Sequence, residues 1–514
     1  MLLADPVFLG HVEKGIMEGN WLPGSLRQAI QHFAELFRAM DDPYLQARHE
    51  DIHHIGNKLY NSWRGKRAPE MPAAGRIVLV GAQISVSEIA AVPAGMLEAI
   101  VCFEGSSLSH TAVLANALGI PAVMGTGVIR NLANDSLLIV DGNSGQVMVN
   151  PGESLLAEYR KLEDDQRFLM KQLEQIRELP ALTTDGAELT LYTNTGLLAD
   201  ISPGLMNGAQ GVGLYRTEIP FMIRTSFPSE EEQVSVYRQV LLAYRGKPVH
   251  MRTLDVGGDK QLPYFPVENE DNPALGWRGI RFTLDNSQLL MTQVRAMIRS
   301  AQGLDNLRIL LPMVSSTSEL DDFCTLLDDA IAQLRAEGNS VTRPALGVMI
   351  EVPAAISQIP FWADKIDFIS IGSNDLSQYL LALDRNNPRV AARYDHVHPA
   401  VLIEIRRILQ TAAEYKIPVS LCGEMASDPV AVVLLMGLGL RTLSMSATKI
   451  PRIKWLIRSL QLSTARQLSQ DALECGYPRD IRSRVEAALE TAGLQELFKR
   501  NPPAGVTHQA GVGT

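Results

Sequence analysis

Only four cysteines occur in the 514 residues, Cys102, Cys324, Cys422 and Cys475, and none stands in a CxxC or other metal-ligand spacing. That excludes a disulfide framework or a zinc ribbon and fits the reduced thiols of a cytosolic protein. Positive charge is not in excess: 47 Lys and Arg face 57 Asp and Glu, for a net charge of −10. A nucleic-acid partner is therefore not expected, since it needs a basic patch or stripe, whereas local basic sites for small anions stay open. No apolar run is long enough to span a bilayer. The N-terminus, Met1 to Pro6, lacks the basic region and apolar core of a signal peptide. A cytoplasmic location without membrane association is expected. What is present is a 46% hydrophobic share and a mean hydropathy of +0.02, enough for a sizeable core. The length suggests about three domains.

Residues 1–65 are helical in pattern. Leu26, Ile30, Phe33, Leu36 and Phe37 recur at helical spacing, as do Leu45, His49, Ile52, Ile55 and Leu59. Pro23-Gly24-Ser25 and Asp41-Asp42-Pro43 separate these runs. His53 and His54 are adjacent, so on a helix they point about 100° apart, and with no third ligand nearby they read as structural. So few helices make a poor core, and this segment is expected to be part of a larger helical subdomain. A connector from Lys66 to Ala73 leads into an α/β domain over 66–152. Its strands are expected at Arg76–Gly81, Ala99–Phe103, Ala122–Met124, Leu137–Asp141 and Gln146–Val149, with helices at Ser85–Ala91 and Thr111–Leu118. Glu153 to Glu178 holds no Gly or Pro and predicts a charged linker helix that Pro180 stops, giving a linker at 153–180.

From Leu189, strands alternate with helices to about residue 445. The strands are expected at 189–192, 211–214, 249–252, 308–311, 346–350, 368–371, 419–421 and 441–444. Eight strands with helices between them over about 250 residues suggest a (β/α)8 barrel, with an open doubly wound sheet as the alternative. With the C-terminal helices this unit covers 181–500, and the tail 501–514 is expected to be disordered.

Barrel enzymes place their sites at the C-terminal strand ends, and polar residues gather there in this chain. Strand two runs into Arg216-Thr-Glu218, strand three into Arg252-Thr-Leu-Asp255, strand five into Glu351, strand six into Asn374-Asp375 and strand seven into Cys422-Gly-Glu424. Arg278 and Arg385 lie in the loops after strands three and six. One charged strand end usually marks only the entry to solvent, but five at one end call for another reason. The four guanidinium groups suit bidentate binding of phosphate or carboxylate. Glu351 and Asp375 on adjacent strands suit Mg²⁺ in an oxygen site completed by ligand and water. Together they point to phosphoryl transfer on an anionic substrate. Cys422 has no histidine beside it in sequence. It reads either as a small buried apolar residue or as a thiol that donates a proton to carbon.

The remaining chemistry lies in Gly105-Ser-Ser-Leu-Ser-His110, a turn-forming run followed by the helical run from Thr111. This puts His110 at or next to a helix N-terminus, where unpaired N–H groups favour an anion. Such an imidazole is placed to accept a phosphoryl group, and the alternative is a capped helix start with an incidental histidine.

Gly211-Val-Gly-Leu-Tyr-Arg-Thr-Glu218, Arg252 to Lys260, Leu275-Gly-Trp-Arg-Gly-Ile-Arg281, Glu351-Val-Pro353, Ser373-Asn-Asp-Leu-Ser-Gln-Tyr379 and Leu421-Cys-Gly-Glu-Met425 resemble Enzyme I of the bacterial phosphotransferase system, the phosphoenolpyruvate–protein phosphotransferases. The stretches Arg216–Met222 and Phe227–Gln233 look closest to the nitrogen-branch paralogue. The resemblance implies an α/β protein with a C-terminal (β/α)8 barrel, a swivelling phosphohistidine domain and a partial helical carrier-docking subdomain. It implies that His110 is phosphorylated, that Arg216, Arg252, Arg278, Asn374, Asp375 and Arg385 bind phosphoenolpyruvate, that Glu351 and Asp375 bind Mg²⁺, and that Cys422 protonates the enolate carbon. Pyruvate as product, a small histidine phosphocarrier as partner and a homodimer through the barrel follow from the same resemblance. The family's Gly-Gly-x-Thr-Ser-His pattern is altered before His110, and the chain is expected to be N-terminally shortened, without a sensory GAF domain. Pyruvate phosphate dikinase and phosphoenolpyruvate synthase share the barrel and the histidine but need an ATP-grasp domain, for which 1–65 offers no candidate. A non-catalytic barrel that senses phosphoenolpyruvate is the other alternative.

Overall fold

A computed structural model describes residues 6–38 and 76–497, apart from short stretches within 83–95, 105–119, 130–135, 143, 223–225, 258–269, 386 and 388. The chain forms two compact units, one holding residues up to Phe168 and one running from Leu169 to Pro502.

In the first unit, α1 (Pro6–Met17) packs on α2 (Leu22–Arg38), with Val12, Ala29 and Ile30 buried between them. Pro23, Gly24 and Ser25 lie in the first turn of α2 and do not separate two elements as the sequence suggests. A proline there forgoes an N–H that has no acceptor in the helix. The run from Leu45 to Leu59, the His53-His54 pair, the connector and the C-terminal tail lie outside the described residues. Strands β1 (Ile77–Gly81), β2 (Leu97–Cys102) and β3 (Ala122–Val123) make a parallel sheet, and β4 (Leu138–Asp141) pairs antiparallel with β5 (Gln146–Val149). Helix α3 (Glu153–Ile176) follows. Its N-terminal half is tied to the sheets by Tyr159, whose hydroxyl lies 3.3 Å from Asp141 Oδ2, and by Glu163, which pairs with Arg76.

The second unit opens with β6 (Ala181–Leu182), a short antiparallel partner of β7 (Glu188–Thr195) that sequence periodicity does not reveal. Then come β8 (Val212–Arg216), β9 (Val249–Arg252), β10 (Leu307–Leu311), β11 (Ala345–Ile350), β12 (Phe368–Ile371), β13 (Val419–Leu421) and β14 (Thr442–Ser446). All pair in parallel in chain order, and β14 pairs with β7 from Thr442↔Thr190 to Ser446↔Asn194. The sheet is closed, so the open-sheet alternative falls. These strands are rich in apolar residues, interrupted by polar ones such as His250, Ser370 and Ser420, because a parallel sheet wrapped by helices is buried on both faces. Inside the barrel, Leu214, Leu310, Met349 and Phe368 form one buried cluster with Cys422. Gly347 is required there, since a side chain at that position would run into the Phe368 ring. His250 is an interior filler: its Nδ1 lies 2.8 Å from the Val212 carbonyl, and burial lowers its pKa to about 4. No helix among the described residues is long and apolar enough to cross a membrane.

Four helices matter for the site: α4 (Ser373–Leu381), α5 (Pro399–Glu414), α6 (Pro429–Leu438) and α7 (Pro478–Thr491). Helix α6 is apolar all round and buried from Val430 to Met436. Its cap, Asp428, accepts from Val430 N–H at 2.9 Å and faces His396 Nε2 at 2.8 Å and Arg482 Nη1 at 2.9 Å. Burial alone would raise this carboxyl, but His396 and Arg482 outweigh burial and hold it at about 2. A carboxyl with a depressed folded pKa stabilises the fold above its unfolded value of about 3.9, and that stability is lost as pH falls through the folded pKa. Asp428→Asn is therefore expected to cost on the order of 2 kcal/mol at neutral pH and to flatten the pH dependence between about 4 and 2. Urea titrations across that range measure it, and an unchanged slope would contradict the assignment.

Candidate active site

The site is built from residues that the strands deliver to one end of the barrel. Arg216 and Arg252 end β8 and β9 and are register partners. Arg252 is buried, with Nη2 2.5 Å from Glu218 Oε1 and Nη1 3.1 Å from Asp255 Oδ2. The other Asp255 oxygen lies 3.4 Å from Arg278 Nη2. Arg278 Nη1 and Arg385 Nη2 both stand 3.7 Å from Asp375 Oδ1. A chain of alternating charge thus runs from Glu218 to Arg385. Charges buried in this way persist only when paired, and the carboxylates also fix the direction in which each guanidinium fork points.

The pairing leaves specific atoms over. Arg252 Nε, Arg278 Nε, Arg385 Nη1 and Asp375 Oδ1 are buried without a hydrogen-bond partner. Buried polar atoms are nearly always satisfied in folded proteins, so unsatisfied donors and an acceptor clustered at strand ends point to a polar ligand.

Glu351 follows β11 and is 1% exposed. Its Oε1 accepts the Met313 N–H at 2.7 Å. Met313 has φ 59°, a left-handed conformation uncommon outside glycine, which turns that N–H toward the carboxylate. Gly372 is required beside it, because a Cβ there would lie 2.7 Å from Glu351 Oε2. Burial pushes the Glu351 carboxyl up, the charges of Asp375 and Asp255 add to this, and Arg252 and Arg278 partly offset it. A cation in front of Glu351 and Asp375 would relieve that repulsion.

Asn374 sits in the first turn of α4, held by the loops on either side. Its Oδ1 accepts the Glu424 N–H at 2.9 Å, and the Tyr394 hydroxyl donates to its carbonyl at 3.2 Å. Cys422, 5% exposed, follows β13. Its backbone carbonyl accepts from Asn194 Nδ2 at 2.9 Å, and its Sγ lies 3.7 Å from the Ile371 carbonyl. Burial pushes the thiol up, so it stays protonated at neutral pH beside the charges of Arg252, Glu351 and Arg216. A protonated thiol next to cations is equipped to give a proton, not to attack as a thiolate.

The structure thus brings Arg252, Arg278, Arg385, Glu351, Asp375, Asn374 and Cys422 to one end of the barrel, with Arg216 exposed on the adjoining strand end. His110 lies outside the described residues. Its neighbour Thr111 is helical and donates its hydroxyl to the Ile84 carbonyl. Sequence reasoning missed Glu218, Asp255 and Met313 as supports of the site. The i, i+3 spacing of Arg252 and Asp255 at a strand end could have marked the second of these, whereas nothing local marks Met313. A cavity of about 650 Å³ lies away from the site, at Ala345 where β11 begins. Its cations Arg343 and Lys365 are already paired with Asp328 and Asp321.

Three family profiles match the chain in succession. They are the N-terminal domain of PEP-utilising enzymes over residues 1–48, the mobile domain over 74–145 and the PEP-binding domain over 170–462. The chain is 41% identical over 494 residues to a Salmonella typhimurium protein described as phosphoenolpyruvate-dependent phosphotransferase system, covering 95% of this chain and 65% of that one. An Escherichia coli protein of the same description is 40% identical over 509 residues, with 97% and 67% covered. The phosphoenolpyruvate-protein phosphotransferase of Staphylococcus carnosus is 35% identical over 496 residues, with 96% and 86% covered. The chain therefore spans about two thirds of the length of the first two relatives.

Proposed function

The chain belongs to the family of phosphoenolpyruvate-utilising enzymes, and on that footing we propose that it transfers the phosphoryl group of phosphoenolpyruvate to its own His110, releases pyruvate, and passes the group to the histidine of a small phosphocarrier protein. The observation that carries this reading is the gathering of Arg252, Arg278 and Arg385, each with a buried unsatisfied N–H, around Glu351, Asp375 and a protonated Cys422. That set matches a small substrate with a phosphate, a carboxylate and a carbon that must gain a proton.

In this reading the guanidinium groups bind and orient the substrate's anionic groups, and Asn374 fixes its placement. A ring nitrogen of His110 forms a bond to phosphorus as the bond to the enol oxygen breaks. The enolate takes the Cys422 proton at its terminal carbon, which yields pyruvate, and the thiol regains a proton from water. Glu351 and Asp375 are the residues that would hold Mg²⁺. Asp375 Oδ1 accepts no hydrogen bond and faces Arg278 and Arg385 only as ion-pair partners at 3.7 Å, so it could also face a cation. When bound, the ion would neutralise charge on the phosphate. The sequence from Arg216 to Gln233 favours the nitrogen-regulatory branch and its carrier.

Incubation with radiolabelled phosphoenolpyruvate and Mg²⁺, with and without purified carriers, tests the whole scheme. Label on the protein that chases to a carrier is the expected result, and no label would overturn the assignment. Cys422→Ala is expected to slow pyruvate formation by about 10²–10⁴-fold while leaving the phosphoenolpyruvate Kd within about threefold. A single-turnover rate equal to wild type would remove the thiol from the mechanism.

A further inference from the structure

Arg482 lies on α7, beyond the last barrel strand, and takes no part in the scheme above. Its Nε and Nη2 donate to the two oxygens of Asp395 at 3.0 and 2.7 Å, and its Nη1 donates to Asp428 Oδ2 at 2.9 Å. The guanidinium thus makes a bidentate pair with one carboxylate and a single bond to a second. Helix α7 is anchored by Ile481, Val485 and Leu489, all buried at four-residue spacing on one face, so Arg482 extends from the flank of a fixed support.

Both carboxylates lie one short step from Asn374. Asp395 follows Tyr394, whose hydroxyl donates to the Asn374 carbonyl at 3.2 Å. Asp428 closes the short helix Glu424–Ser427, whose first N–H donates to Asn374 Oδ1 at 2.9 Å, while Asn374 Nδ2 stands 3.4 Å from Glu424 Oε1. Two separate loops, one after β12 and one after β13, therefore grip the backbone and the side chain of Asn374. Arg482 bridges the two loops through both carboxylates, beside the single direct contact of His396 Nε2 with Asp428 Oδ2 at 2.8 Å. Each carboxylate is further committed to its own loop: Asp395 Oδ1 accepts from Val397 N–H at 3.0 Å, and Asp428 Oδ1 caps α6.

We propose that Arg482 is a positioning residue: it clamps the loops after β12 and β13 together and so holds Asn374 and the adjoining Cys422-Gly-Glu424 segment in register for the substrate. The proposal rests on the reading of Asn374 as a substrate-binding group. The fork geometry matters as well as the charge, because only a planar guanidinium satisfies both carboxylates at once. Lysine keeps the cation and the stem but offers a single nitrogen.

The test compares Arg482→Lys and Arg482→Ala with wild type and with Arg479→Ala, a control on the same helix whose side chain is 82% exposed and contacts its near neighbours Asp480 and Tyr477. Three quantities are read: thermal stability, kcat and KM for phosphoenolpyruvate in pyruvate formation, and amide hydrogen exchange over residues 390–398 and 422–428. Arg482→Lys is expected to remain folded, to raise KM about tenfold with a smaller change in kcat, and to speed exchange in those two segments only. The control should match wild type throughout. Arg482→Lys with wild-type KM and unchanged protection overturns the clamp. So does a loss of protection spread evenly over the barrel, which would mean a purely structural role. If Arg482→Ala fails to fold, Arg482→Lys and Asp395→Asn carry the test. If wild type makes no pyruvate, the proposed function fails. The clamp is then decided by hydrogen exchange alone, standing if the two segments of Arg482→Lys lose protection and falling if they do not.

Discussion

His110→Ala is expected to abolish the phosphoenzyme and to lower phosphoenolpyruvate–pyruvate exchange by at least about 10⁵-fold, the scale set by removing a nucleophile. Phosphoenolpyruvate binding at the barrel should survive unchanged. The separation follows from the division of labour along the chain. His110 belongs to the first compact unit, while every arginine and carboxylate of the candidate site belongs to the second. The sequence supports the acceptor: a turn-forming Gly/Ser run precedes the helical run from Thr111, and a helix start there would favour the negative charge of a phosphoryl group. Binding is measured by calorimetry and phosphorylation by label from phosphoenolpyruvate. Label retained by the mutant would mean that another residue is the acceptor.

Arg252→Ala is expected to cost both stability and activity. Arg252 is 4% exposed and neutralises Glu218 and Asp255, which are themselves buried. Removing one member of a buried pair leaves charge uncompensated and costs about 3–5 kcal/mol. In the proposed function the same substitution deletes a donor to phosphoenolpyruvate, and loss of such a preorganised group lowers turnover by about 10²–10³-fold. Arg252→Lys separates the two effects. It keeps a cation between the carboxylates and should recover most of the unfolding midpoint, yet the fork is gone, so activity should stay at least about 100-fold down. Urea unfolding and pyruvate release report the two. An Arg252→Ala protein with a wild-type midpoint would contradict the buried ion chain.

Much of the second unit was legible in the chain. The eight barrel strands announce themselves as short, largely apolar runs of strand length, each flanked by helical periodicity, because a strand buried on both faces favours apolar side chains. Polar groups after those runs, such as Glu351 after Leu346–Ile350 and Cys422 after Val419–Leu421, were legible for the same reason: they break the apolar run at its end. The start of α2 was less legible, since Pro23 and Gly24 look like breakers yet fit the first helical turn. Strand β6 was hidden because two residues carry no period.

The sequence alone determined the order of the barrel strands, the gathering of four arginines, two carboxylates and a thiol at their ends, and the motifs that place the chain in its family. Only the tertiary structure decided that β14 closes onto β7, that Glu218 and Asp255 aim the arginines, that Met313 turns its N–H to Glu351, and that Arg482 joins two loops around Asn374. The physical reason is range. Periodicity and caps are interactions between residues a few positions apart and leave a local trace. Asp395 and Arg482, or Asn194 and Ser444, meet across 87 and 250 positions through closure and packing, and no local pattern records such a pairing.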